Sequence, residues 1–279
     1  MNKDTYKKFY ENSYINNKDT LPLKLDKDEI LYEALYGSQN YGLDDEKSDV
    51  DTKLITIPDI KRLLFMQPYS RTVDIPDGLA DIKDIQIMEK QFFKANINYL
   101  EILSTGYCLI NADYHEEMKA LKDLLNEIVN NNLKRFTSAT IGMALNKQKE
   151  MLTQSKFKKA YANVEKYGYD GKNAAHILRL EECLERVLDG ESLGKALNAR
   201  VYRKYETIKA LRNQELSKEE AVLETTVALE NMRFDEMFDR KDTPEKVRAK
   251  VNDIVCDIVV KRNQKASENE NSKWFSRRT

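Results

Sequence analysis

Two aspartates separated by a single residue are the side chains of this sequence best suited to chemistry. Asp49 and Asp51 flank Val50, and the mostly apolar stretch 54–57 that follows predicts a strand. Alternate side chains of a strand lie on the same face, so we expect both carboxylates on one face, with Cα atoms roughly 6.6 Å apart. Carboxylate pairs of this kind suit hard cations such as Mg²⁺ or Mn²⁺. The spacing therefore predicts a site for a divalent metal ion.

A Gly-Ser turn precedes the aspartates in the chain. Gly37 and Ser38 follow the apolar run 30–36, which predicts a first strand ending at the turn. Backbone N–H groups of such a turn, together with the serine hydroxyl, can bind a phosphate group. The two strands and the turn between them thus predict a combined site for a metal ion and a phosphate.

The segment between the turn and the second strand is strongly acidic. Five carboxylates fall within residues 44–51, and Lys47 is the one basic residue among them. Two like charges about 4 Å apart repel by about 4 kcal/mol at an effective dielectric constant of about 20. A bound cation or a raised pKa would relieve this repulsion, and so would a loop whose carboxylates all face water. The strand on each side favours the metal site, and a solvated acidic loop is the alternative.

The composition is that of a helix-rich globular protein with short loops. Of the 279 residues, 33% are charged and 41% hydrophobic, and only 9 are Gly and 5 are Pro, which excludes a disordered chain. The net charge of −1 gives no general attraction to nucleic acid or to an anionic membrane. No stretch is apolar and long enough for a membrane span, and residues 1–14 lack the apolar core of a secretory signal. We therefore expect a cytoplasmic protein without a membrane partner.

Cysteine and histidine are too few for most metal sites. Cys108, Cys183 and Cys256 are far apart and form no Cys-x-x-Cys pair, so neither a disulfide framework nor a thiolate zinc site is expected. Each cysteine is expected to be a small buried residue. The only histidines are His115, expected at the surface, and His176. Any metal ion must therefore be bound by carboxylates.

Hydrophobic patterns place the predicted site in a small mixed α/β region. Residues 29–57 contain the two strands, 79–84 predict a short third strand, and 59–78 predict a short helix with connecting loops. Apolar residues at helical spacing predict a helix over 85–103, and another is expected over roughly 113–130.

Beyond this region the patterns are helical. Helices are predicted over 134–164, as one or two, and over 172–188. Further helices are expected after the capping box of Ser217 and Glu220, and after Thr243. The predicted fold class is α+β: a mixed sheet with flanking helices, followed by a helical C-terminal domain. The expected divisions are a catalytic domain (1–125), a helical domain (126–262) and a flexible tail (263–279).

The turn and the aspartates together match a known pattern. Glycines, serines and aspartates fill Gly-Ser-x₃-Gly-x₅-Ser-Asp-x-Asp at Gly37, Ser38, Gly42, Ser48, Asp49 and Asp51. This pattern resembles the nucleotidyltransferase superfamily related to DNA polymerase β, in particular its bacterial and phage branch of predicted nucleotidyltransferases. Weaker resemblance to the same branch extends over 81–85, 96–103 and 168–180.

The resemblance implies a metal-dependent transfer reaction. A nucleoside monophosphate would move from a nucleoside triphosphate such as ATP to an acceptor hydroxyl, with release of pyrophosphate. Asp49 and Asp51 would bind two Mg²⁺ (or Mn²⁺) ions, and a later strand would supply a third carboxylate that is both ligand and catalytic group. Asp81 is our assignment for that carboxylate. Asp84 is the alternative, although its position before Ile85 also suits a helix cap.

A group of basic residues is expected to bind the triphosphate. Lys172, His176 and Arg179 fall at i, i+4 and i+7 and share one helix face, where they could make charge-assisted contacts to phosphate. The alternative is an ordinary basic margin of a helix. The residues assigned to nucleotide binding are Gly37, Ser38, Tyr41, Gly42, Ser48, Lys172, His176 and Arg179. Asn96 and Glu101 are weighed as support behind the site or as packing residues.

The acceptor stays open between RNA or tRNA, a protein hydroxyl and a small molecule. Lys156, Lys158 and Lys159 beside Tyr161 could contact nucleic acid, or they could form a solvated helix face. The alternative function is a non-catalytic nucleotide-binding or antitoxin-like interaction protein on the same fold.

Overall fold

A mixed five-stranded sheet forms the front half of the protein. The computed structural model describes residues 3–16, 29–45, 48–75, 78–153, 158–232 and 239–276. The strands follow the order β3-β4-β2-β1-β5; β2 and β4 pair in parallel, and the other neighbours are antiparallel. Their bounds are β1 Glu29–Leu35, β2 Thr52–Ile57, β3 Ser70–Ile75, β4 Gly78–Asp84 and β5 Cys108–Ile110. Helices flank this sheet and follow it, so the predicted α+β class is confirmed.

The register of the central strands brings the predicted motif to one end of these strands. Leu35 at the end of β1 pairs with Thr52 at the start of β2, and Thr52 also lies opposite Ala80 of β4. The turn after β1, Asp51 before β2 and the start of β4 therefore meet at the same edge. All six residues of β2 are buried, because both faces of this strand are covered.

Fourteen α-helices are present among the described residues. They pack against the sheet and against one another, and one apolar core runs continuously from Leu31 of β1 to Ile258 near the C-terminus. The division into domains at residue 125 remains a prediction. The helices are α1 Lys3–Asn12, α2 Ser38–Tyr41, α3 Ile60–Leu64, α4 Ile85–Phe93, α5 Ile97–Ser104, α6 His115–Asp123, α7 Leu125–Asn131, α8 Leu133–Leu152, α9 Lys158–Tyr167, α10 Gly171–Leu188, α11 Leu193–Ala196, α12 Tyr205–Arg212, α13 Lys218–Asn231 and α14 Glu245–Ser276.

Helix α10 is the centre of the helical half. It packs against α8, α11, α12 and α13, and twelve of its eighteen residues are buried. Its buried set includes charged residues as well as the apolar stripe, and Arg179 is the largest fully buried side chain. A charged residue in such a position needs a specific partner or ligand.

Several predicted boundaries are corrected by the structure. Strand β3 lies in the segment 59–78, which was expected to contain only a short helix and loops, and β5 was not predicted. Helix α14 continues through residue 276 and so includes most of the expected tail, since 263–276 contain no Gly or Pro to end it. The capping box of Ser217 and Glu220 is confirmed.

The cysteines divide into three environments. Cys183 is buried as expected, whereas Cys108 is only partly buried and Cys256 is exposed. The expectation for Cys256 is wrong because the buried stripe of α14 passes through Val251 and Ile258, and Cys256 lies beside it. Among the described residues, no helix combines the length and the apolar character needed to cross a membrane.

Asp84 is a helix cap that also closes the loop before β3. One carboxylate oxygen accepts the backbone N–H of Ile87 in the first turn of α4, and the other accepts the N–H of Tyr69. Asp84 is fully buried. Both oxygens are thus used for structure, which supports the capping alternative over a role as third catalytic carboxylate.

Replacing Asp84 by Ala is therefore expected to act on stability. The loss should be about 2–4 kcal/mol in the free energy of unfolding measured with urea, because a cap and a second buried acceptor disappear together. Asp59 caps the exposed helix α3 through Arg62 N–H and provides the control, for which D59A should cost about 1 kcal/mol. Equal losses in the two variants would contradict this role.

Candidate functional site

A pocket lies between the sheet edge and helix α10. Tyr36, Gly37, Ser38 and Asp51 line it from the sheet side. Helices α8, α10 and α12 line it from the other side with Lys147, Lys172, His176, Arg179 and Arg212, and the remaining lining residues are Tyr41, Leu43, Asn98, Asn173 and Ala175. The fold therefore brings the predicted turn, one of the predicted aspartates and the basic trio of α10 into one cleft.

The turn after β1 is held in place from behind. Gly37 has φ 84° and ψ −143°, a combination that side-chain-bearing residues avoid. Its N–H donates to Glu101 Oε1 at 3.1 Å, and Asn40 Nδ2 donates to the carbonyl of Leu35 at 2.8 Å. The N–H of Gly37 is thus used for structure, whereas Ser38 lines the pocket and its hydroxyl lies 3.4 Å from Oε1 of Gln39.

Two further motif residues have structural roles. Gly42 ends α2 with φ 73°, and a side chain there would come within 2.8 Å of Nε of Arg200. The Ser48 hydroxyl bonds with Asp45 and lies 3.4 Å from Nη2 of Arg212. Gly42 and Ser48 do not line the pocket. Their place in the pattern is explained by the shape of the loop, and direct nucleotide contacts for them remain predictions.

A buried guanidinium group forms the inner wall of the pocket. Arg179 is 0% exposed, and its guanidinium carbon lies 3.8 Å from the centroid of the Tyr41 ring. Its Nη2 is 3.4 Å from Nδ1 of His176. Nε and Nη1 have no hydrogen-bond partner among the described residues. Buried donors in native proteins are almost always satisfied by protein groups, ordered water or a ligand, so these two nitrogens are free to bind an acceptor from outside the chain.

Glu101 connects Arg179 to the turn. Its carboxylate accepts hydrogen bonds from the Tyr41 hydroxyl and from Gly37 N–H. Burial raises the pKa of Glu101 to about 8, while the charge of Arg179 and the bond from Gly37 oppose the rise. Glu101 therefore positions both the turn and the tyrosine that stacks on Arg179. Of the two roles weighed for Glu101, these contacts favour support of the turn from behind, whereas Asn96 caps α5.

The charge of the pocket is strongly positive. Lys147, Lys172, Arg179 and Arg212 contribute four cations to its lining, against one carboxylate from Asp51. Lys147 also forms an ion pair with Glu150 at 2.6 Å, which compensates part of its charge. Such an excess of positive charge around a cleft favours a polyanionic ligand.

His176 is a neutral member of the pocket. Desolvation lowers its pKa well below 6.5, and the charges of Arg179, Lys147, Lys172 and Arg212 lower it further. A neutral imidazole can accept a hydrogen bond from Arg179 and present its other nitrogen to a ligand.

Asp49 and Asp51 precede strand β2 instead of lying within it. Strand β2 begins at Thr52; Asp49 is exposed, Val50 is buried, and Asp51 is partly buried at the pocket. Asp51 Oδ1 accepts the N–H of Leu79 at 3.0 Å. Desolvation raises the pKa of Asp51, the bond from Leu79 opposes the rise, and the nearby charge of Asp49 adds to it. Asp49 does not line the pocket, and binding of a metal ion by the two carboxylates remains a prediction.

Asp81 is not in a comparable position. It lies on β4 opposite Lys53 of β2, whose Nζ is 2.9 Å from Oδ2, and Lys83 Nζ is 2.5 Å from Oδ1. Desolvation alone would raise the pKa of Asp81, but the two lysines outweigh it and hold the pKa below its usual value. Within the described ranges, no three His, Cys, Asp or Glu side chains are grouped so that they could hold a metal ion. The three-carboxylate set is therefore not assembled, and Asp81 does not fit as a ligand of a second ion.

Sequence reasoning missed several residues of the site. Lys147 and Arg212 come from helices far apart in the chain and have no spacing relation to the motif, so no sequence signal pointed to them. Lys53 follows Asp51 by two residues, and this alternation could have placed it on the same face. The basic run at Lys156 lies outside the described residues, as do the side chains of Lys158, Lys159 and Tyr161, and Glu46 and Lys47 of the acidic loop.

Comparison with solved structures gives a distant similarity. Among solved structures, the chain is similar to a nucleotidyltransferase-like protein from Exiguobacterium sibiricum 255-15, with 15% identity, coverage of 92% of this chain and 89% of that chain, and a TM-score of 0.32. No model of a known protein family matches the chain, and no curated protein matches it. A similarity this low does not indicate a shared function.

The neutral state of His176 predicts a pH dependence of stability. In the unfolded chain His176 takes up a proton near pH 6.5, whereas in the folded pocket it stays neutral. The free energy of unfolding should therefore decrease as pH falls below 6.5. His176→Gln should remove about 1 kcal/mol of the decrease between about pH 7.5 and about pH 5.5, measured by urea unfolding. His115→Gln, which changes an exposed histidine, is the control, and an unchanged pH dependence in H176Q would contradict the assignment.

Proposed function

We propose that the protein is a nucleotidyltransferase that transfers a nucleoside monophosphate from a nucleoside triphosphate to an acceptor hydroxyl. The observation that carries this proposal is the cationic lining of the pocket, where the fully buried guanidinium of Arg179 lies with three further cations and has two nitrogens without a partner among the described residues. A triphosphate has the charge and the acceptor oxygens that this arrangement requires.

Different residues of the pocket bind different parts of the triphosphate. Lys172 and Arg212 neutralise the phosphates from the helical side, while Arg179 offers fixed donors from the inner wall. The Ser38 hydroxyl contributes a hydrogen bond from the turn. These contacts hold the triphosphate with its tail in the cationic half of the pocket and its reacting phosphate towards Asp51.

Asp49 and Asp51 would hold a divalent ion, Mg²⁺ or Mn²⁺, at the other end. Such an ion supplies positive charge to the reacting phosphate and orients its oxygens. In the reaction, the acceptor oxygen forms a bond to the α-phosphorus while its hydroxyl proton passes to water, and the bond from that phosphorus to the bridging oxygen of the β-phosphate breaks. Pyrophosphate leaves with the bonding electrons, and Lys172 and Arg179 stabilise its charge. The acceptor stays open between RNA or tRNA, a protein and a small molecule.

A second candidate function is nucleotide binding without catalysis. It is favoured by the ion pairs of Asp81 with Lys53 and Lys83, which leave a weak base where an acceptor-activating carboxylate was expected. The two functions differ in one observable, the Mg²⁺-dependent release of pyrophosphate. Incubating the protein with each labelled nucleoside triphosphate, Mg²⁺ and cell extract decides between them and shows whether label reaches RNA, protein or a small molecule.

Removing pocket cations should weaken nucleotide binding. Lys172→Met and Arg212→Met should each raise the dissociation constant of a nucleoside triphosphate by about tenfold, because each removes a charge-assisted contact. Isothermal titration calorimetry measures this directly. Lys195→Met, on the exposed side of α11 outside the pocket, is the matched control and should bind as the wild type does. Wild-type affinity in both pocket variants would contradict the proposed binding mode.

Replacing Asp51 by Asn should abolish transfer while preserving the fold. The amide oxygen can still accept the N–H of Leu79, and loss of the charge relieves repulsion from Asp49, so stability should be equal or slightly higher. Turnover should fall by at least about a hundredfold if the carboxylate holds the ion at the reacting phosphate. Pyrophosphate release is the readout for turnover, and thermal unfolding is the readout for stability. A D51N protein with native turnover would exclude this mechanism.

A further inference from the structure

A lysine side chain is buried in the centre of the sheet. Lys53 is 5% exposed, and its Nζ lies 2.9 Å from Asp81 Oδ2. The same ammonium group sits 4.0 Å from the centroid of the Tyr36 ring and 4.4 Å from that of Tyr99. Two aromatic faces and a carboxylate thus fix a positive charge, an arrangement that stabilises a cation within the protein.

The partner carboxylate is fully used by this arrangement. Lys83 Nζ binds the other oxygen of Asp81 at 2.5 Å, and the Tyr99 hydroxyl donates to Oδ2 at 3.3 Å. Both oxygens of Asp81 therefore have cationic partners. A metal ion at Asp81 would have to displace an ammonium group and leave a buried charge without compensation, which is unfavourable.

Lys53 is also a neighbour of the proposed reaction site. It follows Asp51 by two residues, and its charge acts on the Asp51 carboxylate. Tyr36, whose ring lies against Lys53, lines the pocket itself. The fixed ammonium therefore stands directly behind the pocket wall next to Asp51.

On the premise of the proposed function, we propose that this site works with one divalent ion, held by Asp49 and Asp51, and that Lys53 excludes a second by occupying Asp81. The ammonium groups of Lys53 and Lys83 hold the carboxylate on which a second ion would depend. Asp81 is a positioning residue, since it orients Lys53 and binds no metal. The basis of the proposal is that Asp81, expected as the third carboxylate of a metal site, is instead paired with two lysines.

The number of bound metal ions tests the proposal without measuring activity. Mn²⁺ is titrated into the protein and followed by electron paramagnetic resonance, in the presence of a nucleoside triphosphate analogue with a methylene bridge between the α- and β-phosphates. The wild type should bind one ion per chain beyond those held by the analogue in a protein-free control. Asp81→Asn should also bind one, and Asp51→Asn should bind none.

A pair of lysine variants sharpens the test. Lys53→Met combined with Lys83→Met frees Asp81, so this double variant should bind two ions, and adding Asp81→Asn should return the number to one. Lys83→Met alone is the matched control and should bind one ion, because Lys53 remains on Asp81. If the double variant does not fold, the comparison of the wild type with D81N still decides.

The outcomes separate this proposal from the one on which it rests. A wild type that binds two ions, the second lost in D81N, would overturn the role of Lys53, as would a wild type that binds the analogue with no ion. A folded double variant that still binds one ion would overturn it as well. Failure of the wild type to bind the analogue at all, measured by displacement of a fluorescent nucleotide, would instead contradict the proposed function.

Discussion

A guanidinium group closed off from water links the two halves of the site. Arg179 belongs to α10, yet it stacks on Tyr41 and lies near Glu101, and these two residues fix the turn at Gly37. A buried charge is tolerated only when its partners are in place, so the turn and α10 are expected to adopt their positions together. The hydrophobic stripe of α10 attaches the helix to its neighbours, but the charged contacts determine which face it turns to the sheet.

Residues of the helical half contact the acidic loop, which neither interpretation of the sequence included. Arg200 lies 3.9 Å from the Asp44 carboxylate, and Arg212 reaches the Ser48 hydroxyl at 3.4 Å. The Tyr205 hydroxyl donates to the carbonyl of Gly42 at 3.4 Å. Basic and polar residues of the helical half therefore hold the loop that carries the aspartates. Since Arg212 also lines the pocket, the position of the loop and the binding of an anion share one side chain.

The sequence predicted those parts of the fold and site that depend on local pattern. The strand before Gly37, the strand after Asp51 and the helix with Lys172 all follow from apolar spacing and turn chemistry over short ranges. Strand β3 was missed because most of its residues are exposed, so that its sequence lacks the apolar run of a buried strand. The partners of Asp81 depend on which strands pair, and only the parallel pairing of β2 with β4 brings Lys53 opposite it. Pairing between distant segments was the information that the sequence pattern lacked.

The cations of this pocket come from its helical side, and its carboxylate comes from the sheet side. Cations on three helices line the side of the pocket that is proposed for the phosphate tail. The carboxylates lie at the other side, where Asp51 is destabilised as an anion by burial and by Asp49. In the proposed function, a cation there would be attracted by the protein itself and by the phosphates of a bound nucleotide, so that ion and nucleotide binding would favour each other. The helical half would then retain the nucleotide, and the end of the sheet that carries Asp51 would act on its reacting phosphate.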